Sequence, residues 1–461
     1  MAKILKTIGD GVLIVLGIKL LEQILRNNRK KKPCIDPDII VDRSNAKFIP
    51  NQLIVWKKEG VTAAEFDRWK SDNQQKYSGL VVKKLCESCD STLELWEGDN
   101  VSTFISEKVL GGGGTSTGAP PSGGGDAVAC FSYNLIIDLP EQLGCVPERD
   151  AKQRPYDRPQ TDGDSVIVAV FDTGLMPEMK SAYTDGVQSL CMPGGERGWN
   201  FFNRTDVTDD DYPSRHGSAV TQFIIDQETR YRKRKTNILP VKIHNSQGKS
   251  DLFSILCGFA YAANSGATII NASFGFYATK GSGAPAILEQ FVKKHLTANN
   301  ILLVAAAGNL NSDETAGGPV GGEVRNLDHN PFFPASLSKT LENVVAVTTV
   351  SKQEKEVCPT QNFSNRVVDV GVDCDKIMPG DFRFESPLHF SNFIVGSSYA
   401  TPIITGKIAQ HHKELMDAMP LVAGKRKIVK ITLLQEMKKL GIIDSDPGFT
   451  TYLKDGNWAD K

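Results

Sequence analysis

The chain carries almost no net charge. Its 53 Lys and Arg stand against 54 Asp and Glu, a formal charge of −1 at pH 7, and without a global basic excess neither nucleic acid nor an anionic membrane surface is implied as its main partner. Long apolar runs are scarce too. In the most apolar stretch, residues 4–25, Lys6, Asp10, Lys19 and Glu22 interrupt, and the longest uncharged run is Gly11 to Ile18, short of the about 20 residues that span a bilayer. The polar residues of its two halves fall on opposite sides of a helical wheel, so no single amphipathic stripe runs through it. Arg26, Arg29, Lys30, Lys31 and Lys32 follow the apolar stretch instead of preceding it, and no small-residue cleavage site comes after, so the pattern of a secretory signal is not met. Residues 1–33 read as a hydrophobic helix with a basic flank, docking on a membrane or a partner through residues 4–25. The flank would hold the remainder on the cytoplasmic side, and a cytoplasmic, membrane-associated location is expected.

Cysteine is present without the signature of a disulfide framework. The nine residues are odd in number and scattered over 461 positions, so mostly reduced thiols are expected. Cys86 and Cys89 have metal or redox spacing, but no second pair or nearby His completes a zinc site, which leaves a chance spacing or a local disulfide. Gly (41) and Pro (23) are near ordinary usage, which excludes a collagenous or wholly disordered chain. With 40% hydrophobic and 23% charged residues the composition is that of a globular protein of two to four domains.

Residues 47–139 alternate strand and helix signals: Asn51 to Lys58, Leu80 to Lys84, Ser91 to Trp96 and Phe131 to Leu139 as strands, with helices over Val61 to Asn73 and Val101 to Val109. This is a small α+β unit of ferredoxin-like pattern, interrupted by a Gly-rich loop at 111–125 that cannot bury apolar surface. A polar, Pro-rich linker, 140–163, leads to residues 164–446. There, apolar runs such as Val166 to Phe171, Asn237 to Ile243, Thr268 to Ala272, Ile301 to Ala306 and Val344 to Val347 alternate with helices over Asp251 to Asn264, Ala284 to Asn299 and Thr401 to Leu415. The expected fold is α/β, a mostly parallel central sheet flanked by helices, with function at the loops beyond the strands' carboxyl ends. Residues 447–461 are left as a C-terminal tail.

Asp172-Thr-Gly174 closes the first of these strands. Alone it is ambiguous, since an aspartic protease also uses this tripeptide, but needs two carboxylates sharing a proton and so would have to be a homodimer here. His216-Gly-Ser218 opens an apolar helix, Asn309 ends the run Ala305 to Asn309, and Gly396-Ser-Ser-Tyr-Ala-Thr-Pro402 places a Ser at a helix start, where free N–H groups suit an oxyanion. Four such blocks, in the order Asp, His, Asn, Ser, resemble the subtilisin-like serine proteases over roughly Ser165 to Ile443. The resemblance implies Ser398 as nucleophile, His216 as general base, Asp172 as its orienting acid and Asn309 as oxyanion donor. It further implies that Ser273, Phe274 and Gly275 bind extended peptide while Ala306, Ala307 and Gly308 wall the pocket for the residue before the cut. Residues 47–139 resemble the family's inhibitory propeptide through their pattern and Pro50 to Trp56. Ser397, Tyr399 and Ser218 depart from the family's usual Thr, Met and Thr.

The function expected is that of a serine endopeptidase acting on protein or peptide substrates under control of its N-terminal domain; the alternative is a catalytically silent binding or scaffold protein on a protease fold. The chemistry needs no cofactor and no metal. Asp206, Asp209, Asp210 and Asp211 read as a solvated acidic run or a structural calcium site, and Arg230 to Lys235 as a solvated basic loop rather than a nucleic-acid site. After Asn309, Asp313, Glu314 and Glu323 lie among glycines. They either favour Lys or Arg before the cut or face water beside an apolar pocket. The oligomeric state is not legible.

Overall fold

A computed structural model describes residues 48–86, 89–110, 127–139, 161, 164–187, 191–192, 194, 197–277, 284–309, 325–375, 378–389 and 393–461. The expected helix within 1–33, the Gly-rich loop, the acidic residues 313, 314 and 323 and nearly all of the 140–163 linker lie outside the described residues.

The N-terminal unit runs β1 (Phe48–Lys57), α1 (Ala63–Lys76), β2 (Val81–Cys86), β3 (Asp90–Glu97), α2 (Val101–Leu110) and β4 (Ala129–Asp138). Its strands lie antiparallel in the order β2-β3-β1-β4, the ferredoxin-like arrangement expected. A Thr62–Glu65 capping box starts α1, satisfying two of the N–H groups a helix start leaves open. Leu53, Ile54, Val55 and Trp56 of β1 are all buried because both faces of the sheet are covered. Leu53 and Val55 pack with Phe66, Trp69, Phe104 and Phe131 beneath the unit's own helices. Ile54 and Trp56 face the other way, into the core of the larger domain.

That domain contributes β5 (Val166–Asp172), β6 (Trp199–Asn200), α3 (His216–Tyr231), β7 (Thr236–Lys242), β8 (Lys249–Asp251), α4 (Leu252–Asn264), β9 (Ile269–Ala272), α5 (Ala284–Val292), β10 (Leu302–Ala306), β11 (Val344–Ser351), β12 (Val370–Asp373), α6 (Ser397–Gln410) and β13 (Asn457–Ala459). The order β13-β12-β11-β10-β9-β5-β7-β6 is parallel throughout. One face packs against α3 and α6 and the other against α4 and α5, so the strands are buried on both sides and read as continuous apolar runs.

Several expectations need correcting. The tail is not a tail: β13 joins β12, and Phe449 and Trp458 are buried. The helix expected from Thr401 starts four residues earlier and ends at Gln410, with a separate helix over His412–Ala418. The one expected over Ala284 to Asn299 is α-helical only to Val292 and then continues as a π-turn. The thiols are not all free: of the seven described cysteines four are thiols and three are disulfide-bonded. Cys89 and Cys191, 102 residues apart, form a disulfide (Cα–Cα 4.9 Å), and Cys130 is also disulfide-bonded. Cys86, Cys257, Cys358 and Cys374 are buried thiols. Spacing in the chain hid the Cys89 pairing, because its partner is supplied by the other domain.

The two domains meet along an extended seam. The pairing of β4 with β1 ends at Leu135, and the next residues, Ile136 to Asp138, pair antiparallel with β8 instead; the Leu139 N–H then donates to Gly248 O (2.8 Å). The Asn134 carboxamide oxygen accepts from Phe253 N (3.0 Å) in the first turn of α4. Asp90 accepts from Lys294 Nζ and pairs with His295 Nε2, both at 2.8 Å, and Trp56 packs on Phe291 (5.2 Å between centroids).

Candidate active site

The residues singled out from sequence converge at the carboxyl ends of the parallel strands. Asp172 is the last residue of β5 and His216 the first of α3, and His216 Nδ1 lies 2.7 Å from Asp172 Oδ1. Gly217 makes this approach feasible: a Cβ there would sit 2.3 Å from Gly174 O and 3.1 Å from Asp172 Cβ. Asp172 Oδ1 also accepts from Thr173 N (2.8 Å), and both side chains are buried. Burial alone would depress the basicity of His216, but the charge of Asp172 and the hydrogen bond to it outweigh that and hold its pKa above the ordinary value.

Ser398 stands in the first turn of α6, where backbone N–H groups have no intrahelical acceptor. Pro402, four residues on, has no N–H to give to the Ser398 carbonyl, and Ser273 Oγ donates to that carbonyl instead (2.8 Å). In return Ser398 Oγ donates to Ser273 O (3.1 Å). The Ser398 hydroxyl is therefore turned onto the segment at Ser273 and, among the described residues, makes no hydrogen bond to His216. Catalytic hydrogen bonds are often loose before substrate binds, and rotation of one side-chain torsion redirects the hydroxyl.

Asn309 follows β10. Its Oδ1 accepts from Ser397 N and Ser397 Oγ, each at 3.0 Å, which leaves the Nδ2 amide as the end available to a ligand. Gly396, at φ 140°, is required here, since a Cβ would lie 3.1 Å from that Nδ2. Ser397 thus orients the amide, helped by Gln361, whose Oε1 accepts from Ser397 N (2.6 Å). Tyr399 packs its ring on His216 (5.3 Å) and Phe223 (6.0 Å).

Ser273 and Phe274 lie just past β9, and Ala307 and Gly308 just past Ala306 at the end of β10, so both segments flank Ser398. Phe274 is buried against Phe171 and His244. His244 is buried with neither ring nitrogen hydrogen-bonded, and burial pushes its pKa down to about 3, so it stays neutral. Nothing in its immediate sequence signalled that position beside Asp172.

Of the acidic run, Asp210 is wholly buried and accepts from Thr173 Oγ1 (2.8 Å), Ser218 N (2.9 Å) and Ser218 Oγ (2.8 Å). Burial first, and the Asp172 charge second, raise its pKa. It ties the Asp172 turn to the start of α3, a role that its setting in a run of acids concealed. Asp209 pairs with Lys180 and Asp211 with buried Lys242, and among the described residues no three acidic, His or Cys side chains converge to hold a metal. In the basic loop, Lys233 and Arg234 lie against Glu414 (3.5 and 3.8 Å). Among the described residues no helix is long and apolar enough to cross a membrane.

Comparison with known proteins gives the site a context. The sequence profile of the subtilase family matches residues 163–442. The cell wall-associated protease of Bacillus subtilis (strain 168) is 30% identical over 189 residues, 39% of this chain; the chain spans only 19% of that protein's length. Among solved structures, the epidermin leader peptide processing serine protease of Staphylococcus aureus superposes over 89% of this chain and 96% of its own, with a TM-score of 0.53 at 14% identity, a likeness of fold. A lanthipeptide protease covers 64% of this chain and 85% of its own at 19% identity, with a TM-score of 0.46.

Proposed function

Because the chain belongs to the subtilase family, we propose that it is a serine endopeptidase in which Asp172, His216 and Ser398 form the triad and Asn309 supplies the oxyanion donor. The observation that carries this reading is the short, buried His216–Asp172 bond (2.7 Å) beside a serine at a helix start and an amide whose acceptor end is already occupied. Asp172 fixes the imidazole with its proton on Nδ1, leaving Nε2 as base. Ser398 Oγ, turned from Ser273 O to Nε2, loses its proton there as it attacks the scissile carbonyl. The negative oxygen that forms is met by Asn309 Nδ2 and the Ser398 N–H, both of which are in place beforehand. The imidazolium then gives its proton to the leaving amine, and water repeats the sequence on the acyl-enzyme. No step needs a metal or cofactor.

The N-terminal unit regulates this site in the same reading. Ile136 to Asp138 pair with β8 as an added strand, the mode by which an extended peptide binds a sheet edge, and in this reading substrate uses the same edge, so that the unit competes with it. The hydroxyl's position on Ser273 and the covered β8 edge describe a latent enzyme better than a silent scaffold. The aspartic alternative loses its footing, because Asp172 is committed to His216. The test is Ser398→Ala, which is expected to abolish peptide hydrolysis and self-cleavage with the fold retained; unchanged hydrolysis, or inhibition by pepstatin, would refute the proposal.

A further inference from the structure

The two backbone segments that flank Ser398 leave a slot between them, and an aromatic ring lies in it. A methyl group placed on Gly275 would sit 2.2 Å from Phe332 Cε1, and one placed on Gly308 would sit 2.8 Å from Phe332 Cδ1 and Cε1. One edge of the ring is therefore within contact range of both walls. Phe332 is 7% exposed, so little of the space around it remains open.

We propose that Phe332 plugs the pocket for the residue preceding the scissile bond and restricts cleavage to peptides with Gly, Ala or Ser at that position. The inference rests on the reading of Ser398 as nucleophile, since that is what makes Ser273–Gly275 and Ala306–Gly308 the walls of a substrate pocket. Both segments are tied to the nucleophile's turn: Ser273 by its two bonds to Ser398, and Gly308 by its N–H on Ser397 Oγ (3.1 Å).

The ring is held from several sides. Phe332 and Phe333 pair antiparallel with Tyr277 and Phe276, and the Phe332 N–H donates to Ser336 Oγ (2.9 Å). Tyr277 packs edge-on against the ring, 5.0 Å between centroids, and its hydroxyl donates to Asn362 Oδ1 (3.0 Å). Asn362 in turn donates through Nδ2 to Ala307 O (2.8 Å) and through its N–H to Gly308 O (3.0 Å). Plug, brace and pocket wall form one connected unit, so moving the ring aside would disturb the wall itself. A substrate Phe, Leu, Lys or Arg has no route into a slot already filled by carbon, whereas a methyl or hydroxymethyl group can stop short of the ring. A single methylene accepted or refused by such a pocket changes kcat/KM by about 10- to 200-fold.

A peptide library varied only at the residue before the cut, digested by wild type, Phe332→Ala and Phe332→Leu, tests the proposal. Wild type is expected to cut after Gly, Ala or Ser. The kcat/KM ratio for Phe over Ala should rise at least about 100-fold in Phe332→Ala, with an intermediate gain in Phe332→Leu. A fluorophosphonate that carries no peptide side chain should label Ser398 in all three proteins, which separates loss of the fold, or failure of the serine-protease reading, from failure of the pocket assignment. A wild-type preference for Phe, Leu, Lys or Arg, or an unchanged Phe-to-Ala ratio in variants that label normally, would overturn it.

Discussion

At the scale of single residues the proposed chemistry turns on the electrostatics of His216. The imidazole must be neutral to accept the serine proton, and its pKa is held above the ordinary value by Asp172. A raised value means that the ring remains protonated, and inactive as a base, above the pH near 6.5 at which a free histidine would already be half neutral. Activity should therefore fall on the acid side with a midpoint above pH 6.5, and a kcat/KM profile measures it directly; a midpoint below 6 would mean that burial, not the carboxylate, governs the ring. Asn309 makes a different demand. Asn309→Leu removes a donor needed only where negative charge develops, so turnover should drop by about 10² to 10³ with substrate affinity little changed, a magnitude taken from subtilisin itself. Loss of affinity at constant turnover would make Asn309 a binding residue. The convergence of Asp172, His216, Asn309 and Ser398 was legible because each residue sits in a block whose order and setting carry information. Ser397, Gln361 and Asp210 were not, since their parts depend on hydrogen bonds between segments far apart in the chain.

Among the elements, β4 joins the two domains. Its first part pairs with β1 inside the N-terminal unit and its last three residues with β8, so docking can be impaired without unfolding the unit. Ile137→Pro removes an N–H and fixes the backbone dihedral in that last part. Supplied in trans, the unit 47–139 should inhibit the catalytic domain, whereas the same unit carrying Ile137→Pro should inhibit far more weakly; equal inhibition by both would show that β4 is not the competing strand. Circular dichroism of the variant checks that the unit remains folded. The longer strands of both domains were readable from their apolar runs, with ends displaced by up to four residues, whereas the short β6, β8, β12 and β13 were not. The early start of α6 was missed because Ser397 and Ser398 have little helical preference, and only the tertiary contacts of that turn place them there.

Across the whole molecule, a covalent bond joins what the sequence presents as separate domains. Cys89 belongs to the N-terminal unit and Cys191 to the larger domain, so cutting the chain between residues 140 and 163 should not by itself release the N-terminal unit. On a gel without reductant the two fragments should migrate together, and reduction or Cys89→Ser should part them once the protein is denatured. Fragments that separate without reductant in the wild type would contradict the pairing. Such a bond persists in oxidising surroundings and is rare in reducing ones, which weighs against the cytoplasmic location first expected. Domain order and fold class were legible because buried parallel strands and a ferredoxin-like alternation leave periodic traces. The seam between domains was not, because Asn134, Asp90 and Cys89 look like ordinary residues of a small domain until their partners on α4, the π-turn after α5 and the loop at Cys191 are brought opposite them.

The central claim is that Ser398 is a nucleophile activated by His216 and Asp172. Reaction of the active protein with a fluorophosphonate, followed by peptide mass spectrometry, tests it most directly. A single phosphonylated residue, Ser398, is expected, with labelling lost in His216→Ala and after denaturation. Absence of label on Ser398 in a protein that hydrolyses peptides, or equal labelling in His216→Ala, would contradict it.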